Sequence, residues 1–131
     1  MNVSEGGRHQ FVASLLLELG PAAIVPWPVY VESMLWLHGR GFVHAAVRFA
    51  RGVLTGEVTL ATPTSFEHST ALDIVERYAG FGVDLPDAVC IAMAMARQVP
   101  LLTWDFRHAR AVVVNGRSVQ LAVTEAEFHR L

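Results

Sequence analysis

The sequence predicts an α/β fold, with helices alternating with short apolar strands around a mainly parallel sheet. Segments of helical apolar spacing that stop at glycine alternate with short apolar runs, several of them bounded by proline. The apolar fraction is 53%, which suits elements buried on more than one face. At 131 residues the chain is the size of one domain, residues 1–131, with a core of its own. Parallel strands joined through helices imply right-handed crossovers.

The elements follow in order. HQFVASLLLELG, residues 9–20, has helical periodicity and stops at Gly20, a natural helix C-cap. PAAIVP reads as a short strand between prolines. VYVESMLWLHG is a helix ending at Gly39, and FVHAAVRFARG is another ending at Gly52. EVTLATP alternates into a strand. TSFEHSTALDIVERYAG opens with Thr64 and Glu67 in capping-box spacing and closes at Gly80. DAVCIAMAMARQ is a helix with Asp84 or Leu85 at its cap and Pro86 in its first turn, where proline is tolerated. VPLLTW is a buried strand. AVVVNGRSVQLAV ends the fold as a strand or as a hairpin around Asn115-Gly116.

Composition excludes several classes. No run long and apolar enough for a membrane span is present, and MNVSEGGRHQ lacks the basic-then-apolar order of a signal peptide. Cys90 is the only cysteine, which rules out an internal disulfide and a multi-cysteine zinc site. A reducing cytoplasm is the default compartment. The net charge of −2 is not that of a protein holding nucleic acid by a basic surface alone. All ten basic residues are arginine, so chemistry that needs a lysine is excluded. That removes receiver domains, haloacid-dehalogenase-like phosphatases and P-loop enzymes.

The acids point to a site. Asp87 lies in the first turn of its helix, which runs about 18 Å back down the sheet for a dozen residues. PLLTW then climbs the other way and delivers Asp105 to the same carboxyl edge. Glu32 follows the strand AAIVP in the first turns of the next helix and belongs to that edge too, where open α/β sheets place their ligands. Close carboxylates repel unless a cation neutralises them. Oxygen ligands without cysteine favour Mg²⁺ or Mn²⁺, which can position a phosphodiester and activate a water. Each acid also has a structural role open to it. Asp87 can complement the helix dipole, Asp105 can cap FRHARA, and Glu32 can face solvent.

Three stretches, IVPWPVYVESMLWL, VDLPDAVCIAMA and VPLLTWDFRHAR, together resemble the PIN-domain family, and within it the VapC-like toxins of bacterial toxin–antitoxin pairs. The resemblance covers roughly residues 8 to 122. It implies a three-layer α/β/α fold and a Mg²⁺- or Mn²⁺-dependent endoribonuclease with Glu32, Asp87 and Asp105 as its acids and metal ligands. Thr103 falls on a position that orients a metal-bound water or phosphate. Partners implied are an RNA substrate, a cognate antitoxin that blocks the acidic pocket, and a second copy in a homodimer. The family begins with a strand bearing a first metal-binding aspartate, and this chain begins at MNVSEGG, beyond it. The resemblance therefore implies an apolar strand ending in aspartate upstream in the reading frame.

The remaining polar residues divide between two readings. Arg107 and Arg110 either hold RNA phosphate or an antitoxin's acidic tail, or form a solvated pair. His108 is near enough to Asp105 to meet a phosphate, and otherwise is a surface histidine. Cys90, Met93 and Met95 read as core; Trp36 and Leu37 face a partner in the resemblance's reading, and Trp36 otherwise reads as core. The alternative function is a PIN-like binding or regulatory module that no longer cuts.

Overall fold

The structure is a computed structural model that describes residues 23–103 and 105–130. The helix expected over residues 9–20, Glu5 and Trp104 lie outside the described residues. The chain is α/β and mostly helical, with a small parallel sheet. It divides into two units, Met1–Thr62 and Pro63–Leu131.

In the first unit, strand β1 (Ile24–Pro26) leads directly into helix α1 (Trp27–Gly39), followed by α2 (Val43–Thr55) and strand β2 (Thr59–Ala61). The two strands pair in parallel, Ile24 opposite Thr59 and Pro26 opposite Ala61. Pro28 occupies the first turn of α1, where its missing N–H costs no hydrogen bond. No residue of α1 is buried, and Trp36, expected in the core, is 53% exposed. Its ring instead stacks near Phe42, with centroids 6.3 Å apart. The expectation that α2 stops at Gly52 is corrected. The helix runs one turn further to Thr55 and ends at Gly56, whose φ of +82° is the left-handed conformation of a helix terminus. Gly52 is buried inside the helix, and a Cβ there would come to 3.6 Å from a Glu57 carboxylate oxygen.

The second unit is built on two helices, α3 (Ser65–Arg77) and α4 (Leu85–Arg97), joined through a 3₁₀ turn at Ala79–Phe81. Helix α5 (Phe106–Ala111) and a short α6 (Glu125–His129) complete it. Both halves of the Thr64–Glu67 capping box are present at the start of α3. The turn into α4 uses Gly82, with φ +75°, rather than Gly80. Ala71, Ala88, Ala92 and Ile91 are at most 2% exposed; small side chains at such positions let helices approach closely. Met93 is buried as expected, while Cys90 and Met95 are only half-buried.

Among the described residues, the strand expected over VPLLTW is reduced to one parallel bridge, Leu101 with Leu121. Gln98 turns the chain with φ +54°, Val99 is 41% exposed, and Pro100 has no N–H to extend a ladder. Beyond α5, Val114 and Arg117 bridge in antiparallel fashion around Asn115 and Gly116, both with positive φ. That is the hairpin expected from the Asn-Gly pair.

One charged side chain is buried in this core. Glu67 is 3% exposed and accepts two hydrogen bonds from Arg97 of α4, Nε to Oε2 at 2.9 Å and Nη2 to Oε1 at 3.2 Å. Its Oε1 also accepts from the Thr64 N–H at 2.8 Å. The bond from Arg97 holds the Glu67 carboxyl below its ordinary value, against the opposing effect of burial. The pair therefore ties the start of α3 to the end of α4. Arg97→Met should destabilise the protein by about 3 kcal/mol in urea denaturation, because it leaves a buried carboxylate without its partner. A cost below about 1 kcal/mol would show that the pair is not what closes the two helices.

Candidate functional site

The site is assembled by helix caps. Asp84 is the N-cap of α4, and its Oδ1 accepts from the Asp87 N–H at 3.0 Å. That leaves the Asp87 carboxylate free to point away from its own helix start. Asp105 caps α5 in the same way, its Oδ1 accepting from the His108 N–H at 3.2 Å. The Asp105 N–H in turn donates to Thr103 Oγ1 at 3.0 Å. The structural role open to Asp105 is thus filled by one of its oxygens, and the other remains for chemistry.

Both free oxygens meet one nitrogen. His108 Nδ1 lies 3.0 Å from Asp87 Oδ2 and 2.8 Å from Asp105 Oδ2. The other ring nitrogen, Nε2, donates to the Phe81 carbonyl at 3.0 Å. The His108 side chain is 16% exposed, against 37% for Asp87 and 43% for Asp105, so the cluster is a half-open notch. With Nε2 committed to a carbonyl, Nδ1 has two states. It carries a proton and donates to the carboxylates, or it presents a lone pair toward the same point.

The electrostatics follow from that geometry. Burial raises the Asp87 carboxyl above its ordinary value; the bond to His108 pulls it back, and the charges of Asp84 and Asp105 push it up again. Burial pushes the His108 imidazole down, but it is outweighed by the bond to Asp87, the charge of Asp105, the Phe81 carbonyl and the charge of Asp87. The histidine is thereby held above its ordinary value. Two carboxylates this close need a cation between them, and the imidazolium is one.

The same three side chains can hold a metal ion. One donor atom from each of Asp87, Asp105 and His108 lies within 4.8 Å of the others. In the neutral imidazole, the Phe81 carbonyl keeps the proton on Nε2 and leaves Nδ1 to ligate, the usual outer-shell arrangement of a metal-bound histidine. Two carboxylate oxygens and one imidazole nitrogen fit Mn²⁺ better than Mg²⁺, which prefers oxygen throughout. The donor set therefore suits a divalent ion, with a nitrogen that the sequence-based ligand set did not include.

The other expected residues fall as follows. Thr103 is next to the cluster through its bond to Asp105, and its hydroxyl hydrogen remains available to donate. Arg107 is exposed, with its guanidinium carbon 5.5 Å from the centre of the Phe81 ring. Arg110 pairs with Glu125. Glu32 belongs to the first unit, on α1, where it lines a pocket of about 380 Å³ with Ser33, Trp36, Leu37 and Phe49. His108, weighed in the sequence as a phosphate contact or a surface residue, stands between the acids. The signal for it was Asp105-x-x-His108, a cap followed three residues later by a ring that returns toward it.

Among the described residues no helix is long and apolar enough to cross a membrane. No family model, curated protein or solved structure matches the chain.

The raised imidazole has a thermodynamic consequence. A group whose folded pKa lies above its unfolded value stabilises the fold fully below the unfolded value, 6.5 for histidine. That contribution is lost as pH rises through the folded value. The wild type should lose thermal stability as pH climbs above 6.5, and His108→Gln should show a flatter profile over the same window. Parallel profiles for the two proteins would mean that the carboxylates do not hold a proton on His108.

Proposed function

We propose that this chain is a PIN-like, metal-dependent endoribonuclease of the VapC-like type, the toxin of a type II toxin–antitoxin pair. The observation that carries the reading is the meeting of Asp87 and Asp105 on one point, from two different helix starts. The motifs that resemble the family supply the reaction class. Asp87, Asp105 and His108 hold the metal ion, Mn²⁺ in preference to Mg²⁺. When bound, such an ion positions the phosphodiester and lowers the pKa of a water.

The chain's own groups supply the rest. Thr103 donates its hydroxyl hydrogen to a phosphate oxygen, oriented by the bond it accepts from Asp105. Arg107 is exposed and holds a phosphate of the RNA backbone. The resemblance gives Glu32 a ligand's role as well, which Glu32→Gln tests separately. In this reading the three-layer fold of the family, a cytoplasmic location, the homodimer and an antitoxin that covers the acids all follow from the resemblance.

One observation favours the alternative, a PIN-like binding module that does not cut. His108 Nδ1 stands between the two carboxylates, so a proton on it takes the place of a metal ion there. Metal binding and cleavage separate the two readings. The wild type should bind Mn²⁺ in calorimetry and cleave single-stranded RNA in its presence. Asp87→Asn should cut at least about a hundredfold less, while it still folds with a stability within about 1 kcal/mol of wild type, since the like charge removed offsets the bond lost to His108. Mn²⁺ binding without cleavage, or no binding at all, would favour the binding module. Loss of folding in Asp87→Asn would make Asp87 a structural residue.

A further inference from the structure

The His108 ring needs two fixed points, and the helix caps supply only one of them. Asp87 and Asp105 start their helices behind caps and meet Nδ1 at a single place. A ring held at one nitrogen can still swing about that point. Its plane is set by the second bond, from Nε2 to the Phe81 carbonyl at 3.0 Å. That carbonyl belongs to no helix of the core. It sits in the 3₁₀ turn Ala79–Phe81, whose three residues are all exposed, and the turn ends at Gly82 with φ +75°. Burial therefore does not fix the turn, and glycine is the residue with the most backbone freedom.

A side chain from the neighbouring position fixes it instead. Tyr78 stands just before the turn, half-buried, and its hydroxyl reaches the backbone of Val113 beyond the end of α5. The Val113 N–H donates to the hydroxyl oxygen at 2.9 Å, and the hydroxyl donates to the Val113 carbonyl at 3.3 Å. The Tyr78 carbonyl accepts from the Phe81 N–H at 2.9 Å, so the two residues move as one body. Their rings also meet edge to face, with centroids 6.5 Å apart. These contacts close a circuit. It runs from Tyr78 to Phe81 along the turn, across to His108, along the chain to Val113, and back to Tyr78. Arg107 adds a guanidinium 5.5 Å from the exposed Phe81 ring, a weaker kind of tie.

We infer that Tyr78 is a positioning residue of the acidic notch, its hydroxyl holding the Phe81 carbonyl where that carbonyl fixes the His108 ring. Tyr78 bonds to none of Asp87, Asp105 and His108 and acts through Phe81 alone. Its effect on a bound ion rests on the reading of the notch as a metal site; its effect on the ring does not.

Tyr78→Phe, in the full chain, removes the hydroxyl and keeps the ring. Two measurements test it. In metal-free protein labelled with ¹⁵N-histidine, the Nε2 proton of the protonated His108 ring is assigned by its absence in His108→Gln. Its exchange with water should quicken about tenfold in Tyr78→Phe, the effect of losing one hydrogen bond. In calorimetry, Mn²⁺ should bind about tenfold more weakly, at the low end of what an outer-shell partner contributes to a metal site. Thr64→Ala is the control. It uncaps the far end of α3 and lowers the thermal midpoint, and it should leave both readouts as in wild type. A Tyr78→Phe protein that matches Thr64→Ala in both readouts overturns the inference. So does one that no longer unfolds cooperatively, since the hydroxyl would then be a structural tie. If the wild type binds no Mn²⁺, the metal reading falls and the exchange rate alone decides: faster exchange in Tyr78→Phe supports the positioning role, and unchanged exchange overturns it.

Discussion

Two carboxylates within hydrogen-bond distance of a single imidazole nitrogen impose a charge constraint on this protein. Asp87 and Asp105 cannot both stay ionised in a half-buried notch without a positive group between them. His108 supplies that group, and the Phe81 carbonyl fixes which of its nitrogens faces the acids. Each of the three is placed by a helix start. Asp84 caps α4 so that Asp87 is free, and Asp105 caps α5 with one oxygen while offering the other.

Behind it, the α3–α4 pair is held in register by Glu67 and Arg97. A buried carboxylate with three donors is stable only when all of them are present, so this contact specifies how the two helices meet as well as stabilising them. The small residues between the helices allow the close approach, and the Phe81 turn that follows α3 brings the carbonyl to His108. Packing, caps and the acidic notch are therefore linked through one short stretch, residues 78–87.

Much of this was legible in the sequence because it is local. The Thr64–Glu67 capping box, the Asp84 cap with Pro86 behind it, and the Asn115-Gly116 hairpin each follow from a few adjacent residues. Asp87 and Asp105 were legible as a pair because the chain runs away from Asp87 along α4 and returns to Asp105 over a short segment, although that segment makes one bridge where a strand was expected. What was not legible depends on contacts distant in sequence or on competing local signals. Gly52 looked like a helix stop, yet Gly56 offers the left-handed turn and Gly52 is packed inside α2. VPLLTW has the composition of a buried strand, but Gln98 and Pro100 disrupt the ladder at its start. His108 was underweighted because its partner Asp87 and the Phe81 carbonyl lie more than a helix away in sequence. Helix α6 was missed although Thr124 and Glu127 repeat the capping-box spacing already recognised at Thr64.

The central claim is that a proton on His108 and a metal ion compete for one place between Asp87 and Asp105. Calorimetric titration of Mn²⁺ in two buffers of different ionisation enthalpy counts the protons released on binding. At a pH near 6.5, the ordinary imidazole value, the wild type should release more than half a proton per ion bound, and His108→Gln should bind more weakly and release markedly fewer. Mn²⁺ binding by the wild type with no proton released would place the ion elsewhere and contradict the account.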